Sequence, residues 1–454
     1  MGLGGKKHLG IIHFRLGQRD GVSLEIDKRI KLLQKHPLKI TLIGGNIHPH
    51  YPQESHYFPW LDLDRPQTQE IFHGFLKGSF ASTTEAQKRY YQLEQRYYRA
   101  WCHLFQERQF DFLLIHNLLS LPLILPATTA LVRALDHYQI PSLALNHDFW
   151  FNRDYFQVSP YRFVRMILSQ LPPKRSFIHH QVINSLDQKE LLRRRAIRAE
   201  RIGDYWDFDQ PPLERDQFNQ DFLAHFGLKE NDFLILQATR IVPRKAIENS
   251  ILFAVELKRQ LKKHLPWRLN QKRLTSTSRV VLFCSNFPDL DYHWYQEKLE
   301  QLARAQGVTV IWAHDQIALH RSQHQKQKIF SFWDPYLFAD LVTYPSIKEG
   351  FGNQFLEAVF FKKPIVLFEY PVFRVDIKPE GYRYISLGQR SYRRQGFNFV
   401  PRKQIRKAAE KALHLLSQPQ LCREWAEINF RLARRHHSFD RLSQDLARNI
   451  LSRI

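Results

Sequence analysis

The same cadence occurs twice, on either side of a break in composition, and this limits what the chain can fold into more than any single motif does. From residue 8 to about 200, short apolar stretches (GIIHF, LKITLIGG, FDFLLIHN, PSLALNHDF) alternate with amphipathic ones such as SLEIDKRIKLL and TTALVRALDHY. A second series follows in DFLILQATR, NSILFAVELKRQL, SRVVLFCSN, YHWYQEKLEQLARAQ, VTVIWA, ADLVTYPS, NQFLEAVFF and PIVLFE. Apolar runs too short for helices, joined by stretches of helical periodicity, predict strand-helix-strand units and a parallel sheet in each half. Between the halves IGDYWDFDQPPLERD, residues 202–216, turns abruptly to Gly, Asp and Pro, and a hinge is expected there. The 454 residues are enough for two α/β lobes at roughly 150 residues or more per domain.

Composition excludes several classes. A hydrophobic fraction of 43% rules out wholesale disorder, and no apolar run approaches the ~20 residues a bilayer span needs. The opening MGLGGKKHLGIIHF runs into a strand-like stretch broken by Arg15, unlike a signal peptide, so a cytoplasmic location is expected. Cys102, Cys284 and Cys422 have no metal-ligand or disulfide-framework spacing and read as reduced, packed thiols. Of the 22 histidines, the adjacent pairs His179-His180 and His436-His437 cannot face one ion from one side of a helix and read as surface residues.

A formal charge of +23 attracts anionic partners. Basic clusters lie at 189–201, 390–407 and 431–437; they read as a solvated basic surface, with peripheral contact to an anionic membrane at its inner face as the more specific option. No nucleic-acid motif accompanies them, so no specific nucleic-acid partner is expected.

Between Glu85 and Arg108, aromatic and leucine residues recur every three or four positions, which predicts a helix with an aromatic stripe packed in a core. The segments 47–66 and 263–278 read as loops, and three helices are expected in the last fifty residues.

The chemistry concentrates in YPSIKEGFGNQFLEAVFFKKPIVLFEYPV, residues 344–372. A strand ends, Gly350 and Gly352 make a turn that lets backbone approach a ligand, and a helix opens with its amides facing that turn, an arrangement suited to phosphate. Glu349 precedes the turn and Glu357 follows it eight positions later, where carboxylates can accept hydrogen bonds from sugar hydroxyls. A helix-terminal carboxylate serving the macrodipole is the competing reading of Glu357, and a glycosidase-like acid and nucleophile that of the pair.

This segment resembles the signature of retaining glycosyltransferases of family 4, which have the GT-B fold. LILQATRIVPRKAIENSI, residues 234–251, resembles the same family's loop in which an arginine and a lysine hold the donor diphosphate; here they are Arg240 and Lys245, followed by Ala246 where the family usually has glycine. LALNHDFWFNRDYF resembles its first-lobe strand end, with His147 at the position that reaches the transferred sugar, while His116 and Asn117 could line the acceptor side. FRLGQRDGVSLEIDKRIKLL resembles its first turn, with Gly17 and Gly21, where main-chain amides approach donor phosphate or acceptor. Together these phrases most resemble a subgroup that includes mannosylglucosylglycerate synthase-like enzymes.

The resemblance implies an α/β GT-B architecture, two Rossmann-like lobes whose parallel sheets face each other across a cleft. Residues 1–203 would form the acceptor lobe and 204–418 the donor lobe, with helices in 419–454 returning to the first. It implies a metal-independent hexosyltransferase with no cofactor beyond its donor substrate, a nucleotide-diphosphate sugar, and with a hydroxyl acceptor that is a small polar glycoside or glycerate, or a glycan precursor. His147, Glu349, Arg240 and Lys245 would be catalytic. Gly21, Arg240, Lys245, Gly350, Phe351, Gly352, Asn353 and Glu357 would bind the donor, Glu349 touching hexose hydroxyls and Glu357 the ribose. The reading from another class is a non-catalytic GT-B-like protein that binds anionic lipid or polymer through its basic surface.

Overall fold

The structure, a computed structural model, describes residues 6–17, 20–153, 156, 159–263, 267–270, 272–288, 292–324 and 327–454. They divide into two compact units, residues 1–204 with 440–454, and residues 205–439.

The first unit is built on seven parallel strands, Lys7–Leu16, Leu38–Ile47, Glu54–Tyr57, Phe112–His116, Ser142–Asn146, Ile178–Val182 and Glu200–Arg201. Numbered along the chain, they lie side by side in the order 3-2-1-4-5-6-7, with Ile12 paired to Ile43 on one side and Ile115 on the other. Phe112–His116 and Ser142–Asn146, in the middle of the sheet, are buried at every position, and their runs FLLI and LAL are apolar without alternation, as in strands covered on both faces.

The aromatic helix spans Thr83–Arg108 and starts from a reciprocal cap: Ser82 Oγ accepts from the Glu85 amide, and Glu85 Oε2 accepts from the Ala81 amide. Tyr90, Tyr97, Trp101, Leu104 and Phe105 are buried, and Trp60 stacks on Tyr97 with ring centroids 4.4 Å apart. Each such side chain contributes about 1.5–3 kcal/mol on leaving water, and the stripe serves the core as expected.

The second unit repeats the plan with six parallel strands, Phe233–Gln237, Val280–Cys284, Thr309–Trp312, Leu341–Tyr344, Ile365–Leu367 and Ile385–Ser386. Counted within the unit, their order is again 3-2-1-4-5-6. In such sheets the connections from the first and fourth strands leave in opposite directions, and the crevice at their carboxyl ends is where ligands bind. In the first unit that point lies beyond Lys7–Leu16 and Phe112–His116, and in the second beyond Phe233–Gln237 and Leu341–Tyr344.

Four expectations change. Within 47–66, Glu54–Tyr57 pairs in parallel with Leu38–Ile47, because the open edge of that neighbour supplies the hydrogen bonds that the segment's composition does not advertise. Within 263–278, Trp267–Leu269 and Lys272–Leu274 form an antiparallel hairpin that buries Leu269 and Leu274, while the Lys272 ammonium donates to Asp340 at 2.8 Å.

The helix Pro419–His437 packs on Asn353–Phe360 and Arg402–Leu416 within the second unit, and only residues from Asp440 on belong to the first. There Asp445 accepts from Gln181 at 2.9 Å and Arg448 donates to Glu200 at 3.0 Å, over a face carrying buried Leu442 and Leu446. Finally, His180 and His437 are buried, because adjacency turns one member of each pair inward.

No helix among the described residues is long and apolar enough to cross a membrane.

Candidate active site

In the second unit, the loop after Phe233–Gln237 closes in a single helical turn, Pro243–Lys245, before the helix Glu248–Leu261. Ala246 between them has φ +49°, a left-handed conformation that explains why glycine suits the position; alanine adopts it at about 1–2 kcal/mol. The turn aims two cations at one carboxylate. Lys245 Nζ lies 2.5 Å from Glu349 Oε1, and Arg244 Nη1 donates to Glu349 Oε2 at 2.9 Å and to the Lys348 carbonyl at 3.0 Å. Burial acts to raise the Glu349 carboxyl, but Lys245 and Arg244 hold it down at about 2. Burial pulls the Lys245 ammonium down to about 8 in spite of Glu349, and Arg244 and Arg240 push the same way. Two cations bonded to one carboxylate, with Arg240 within electrostatic range, leave an excess of positive charge in a site largely screened from water.

The glycine turn adjoins this cluster. Gly352 has φ +144°, and a Cβ there would come within 2.4 Å of the Tyr370 hydroxyl, so only glycine fits. Tyr370 donates that hydroxyl to the Phe351 carbonyl at 2.6 Å. The Phe351 ring packs on His437, centroids 5.2 Å apart, which leaves the main chain of Phe351, and not its side chain, to meet a ligand. The helix Asn353–Phe360 begins at Gly352 with no side-chain cap. One turn in, Glu357 is buried and accepts the Tyr336 hydroxyl at 2.7 Å, so a structural bond already holds one of its oxygens. Glu349 differs from expectation more sharply: both its oxygens are engaged by cations, and its first effect is to place Lys245. Arg244 was missed at the sequence level, where only the basic doublet in VPRKA marked it.

In the first unit, the strand ends bring together His13, His116 and His147, all buried. Asn117, at φ +58°, accepts the His147 and Asp148 amides on Oδ1 at 2.8 and 3.2 Å, and so pins the chain where His147 emerges. His13 Nδ1 meets the His116 carbonyl at 3.0 Å, and His116 Nδ1 lies 3.1 Å from His147 Nε2. His116 is fully buried and stands behind His147, so it does not line an open acceptor face as the sequence suggested.

Both rings are held neutral. Burial pushes His116 well below its usual 6.5, with His147, Arg29 and His13 adding to it, and burial, Arg29 and His13 do the same to His147. Arg29 is itself buried and donates to Glu25 Oε2 at 3.0 Å. His116 Nε2 has no hydrogen-bond partner among the described residues. Were the shared proton on His147 Nε2, neutral His116 would carry its own on Nε2, a buried N–H without an acceptor. Orphaned buried donors are rarer than under-used acceptors, so His116 Nδ1–H donates to His147 Nε2. His147 is thereby left with its proton on Nδ1.

Gly21 opens the helix Gly21–Leu33, but the amides of Val22 and Ser23 bond to the Asp20 carboxylate at 3.0 and 3.1 Å. The turn thus supplies its own anion at the helix end where amides were expected to meet phosphate; its residues 18 and 19 lie outside the described ones.

No protein-family model matches the chain. The mannosylglucosylglycerate synthase of Petrotoga mobilis is 34% identical to it over 419 residues, covering 91% of this chain and 94% of that protein. The chain belongs to the mannosylglucosylglycerate synthase family. The Thermotoga maritima mannosylglucosylglycerate synthase is 33% identical over 98% of this chain and 99% of its own length. Among solved structures, sucrose-phosphate synthase from Thermosynechococcus elongatus superposes with a TM-score of 0.61 at 12% identity, covering 98% of this chain and 99% of that one, a likeness of fold. The family member described here is a glycosyltransferase with the GT-B fold, and its two Rossmann-like sheets are those the sequence cadence predicts.

Proposed function

We propose that the protein transfers a hexosyl group, with retention of configuration, from a nucleotide-diphosphate sugar to a hydroxyl of a small polar glycoside. The observation that carries this is the Arg244-Lys245-Glu349 cluster, whose excess positive charge sits at the switch point of a Rossmann-like sheet beside an uncapped helix. Positive charge already in place where a diphosphate departs stabilises the transition state without reorganisation. Lys245, Arg244 and Arg240 would hold the phosphates, with main-chain groups of Gly350, Phe351, Gly352 and Asn353 completing the cradle. With these cations taking up the leaving-group charge, the reaction runs without a divalent metal.

Glu357 would receive ribose hydroxyls. Glu349 would orient Lys245 and share its acceptor capacity with the hexose, and His147 would donate its Nδ1–H to a sugar hydroxyl. In retention by front-face substitution the departing phosphate oxygen takes the acceptor proton while the new glycosidic bond forms on the face the diphosphate leaves. The relatives' name points to a mannosyl group as the hexose and to a glucosylglycerate as the acceptor.

Thermal unfolding with UDP-, GDP- and ADP-sugars identifies the donor. One of them at 100 times its dissociation constant adds ~2.7 kcal/mol of stability. Turnover with that donor and glucosylglycerate, undiminished by EDTA and yielding a product of the donor's anomeric configuration, is the expected result. An inverted product, or loss of activity on chelation, contradicts the corresponding part of the proposal.

A further inference from the structure

We infer that the first unit carries a second anion site, at the amino-terminal edge of its sheet, which binds a small soluble phosphate monoester. A cavity of about 300 Å³ opens there, lined by Lys174, Arg175, His179, Arg198, Glu200 and Arg453 among others. His179 lies at the start of the strand Ile178–Val182, whereas His147 follows the far end of the adjacent strand Ser142–Asn146. Five residues at ~3.3 Å each put the two places on the order of 15 Å apart, on opposite edges of the sheet.

The charges of this cavity do not cancel internally. Arg175 is clamped on Asp136 at 2.6 and 2.8 Å, and Glu200 is paired with Arg448 at 3.0 Å, so these two are already balanced. Lys174 and Arg198 have no side-chain hydrogen bond or ion pair among the described residues. Arg453 donates to Nε2 of His179, a ring that burial and Arg453 itself keep neutral. Lys174, Arg198 and Arg453 therefore bring three positive charges to one concavity with no carboxylate paired to any of them among the described residues, the lining Glu200 being held by Arg448. A phosphate's tetrahedral oxygens suit two guanidinium forks and an ammonium, and the volume, at the lower end of small-molecule sites, leaves room for a short hydroxylated body. The apolar lining residues Leu143, Ile178 and Ile197 are buried at the base of the sheet, which leaves nothing there to insert into a bilayer and favours a free ligand over a lipid headgroup.

Calorimetric titration with glycerol 3-phosphate tests this in the full-length Arg244→Ala/Lys245→Ala protein, in which the donor phosphate site is disabled. One equivalent should bind, and Lys174→Glu/Arg198→Glu should weaken it by roughly tenfold or more, whereas the same charge change in Lys88→Glu/Arg89→Glu should not. No binding, or binding indifferent to Lys174 and Arg198, overturns the assignment. Sedimentation with phosphatidylcholine vesicles containing phosphatidic acid separates the two sources of phosphate. Co-sedimentation that depends on Lys174 and Arg198 and resists glycerol 3-phosphate would assign the site to a headgroup and overturn the soluble-ligand reading. Should the charge-reversed protein misfold, a tungstate soak of unmodified crystals decides: an anomalous peak among Lys174, Arg198 and Arg453 is expected, and its absence counts against the site.

Discussion

At the scale of single residues, the chemistry depends on where protons and charges sit. Lys245 is a cation that burial has weakened and that Glu349 retains. Lys245→Ala should lower turnover ~10²-fold or more, as for other groups that meet developing charge, and Arg244→Ala roughly tenfold, since the guanidinium is less buried. Steady-state kinetics in which both variants match the parent, with unaltered circular dichroism, would remove the cluster from the mechanism. Because Lys245 titrates at about 8, donor affinity should fall as pH rises through that value, and binding near pH 8 should take up a proton, read as a dependence of calorimetric heat on buffer ionisation enthalpy.

His147 offers a separate check on the first unit. Two-bond proton-nitrogen NMR of the imidazoles should show it protonated on Nδ1. His116→Phe should abolish that preference, and His116→Asn, which returns an amide donor, should restore it. Protonation on Nε2 in the parent protein would contradict the hydrogen-bond argument.

Among elements, the helix Glu248–Leu261 does more than cross between strands. Glu248 is fully buried, accepts from Tyr295 and from the Asn398 amide, and titrates at about 7 because burial opposes its charge more than those bonds favour it. Next to it, Asn249 donates to the Asn398 carbonyl and accepts the Val400 amide, both at 2.8 Å, so the first turn of the helix latches the hairpin Tyr392–Arg394 and Phe397–Phe399. The folded chain thus holds a proton on Glu248 that the unfolded chain has released above about 4.5. The contribution is fully present below that value and is lost as pH rises to about 7 and beyond. Glu248→Gln keeps the shape without the titration, so urea unfolding should show a smaller fall in stability between pH 5 and pH 8 in the variant than in the parent. Equal falls in the two proteins would place the proton elsewhere.

Over the whole molecule, what the sequence disclosed and what it hid follow from the range of the interactions. Both sheets were legible because a parallel strand covered on two faces must be apolar throughout and its crossover helix must be amphipathic, as in Phe112–His116 and Leu125–Tyr138. The turn around Gly352 was legible because a positive φ with a tyrosine hydroxyl beside it admits one residue type. The engagement of Glu349 by Arg244 was not, since a contact across 105 positions leaves no periodicity, and neither did the buried partnership of His116 with His147. The edge strand Glu54–Tyr57 was hidden because its neighbour supplies the bonds, and the place where the C-terminal helices change units because Asp445 and Gln181 meet across 264 positions.

The central claim is that Lys245 and Arg244 exchange part of their bond with Glu349 for the phosphates of a donor. A crystal structure with the nucleotide-diphosphate sugar tests it most directly. The prediction is phosphate oxygens within about 3 Å of Lys245 Nζ and Arg244 Nη1. Donor bound elsewhere, with both cations still closed on the carboxylate, would contradict it.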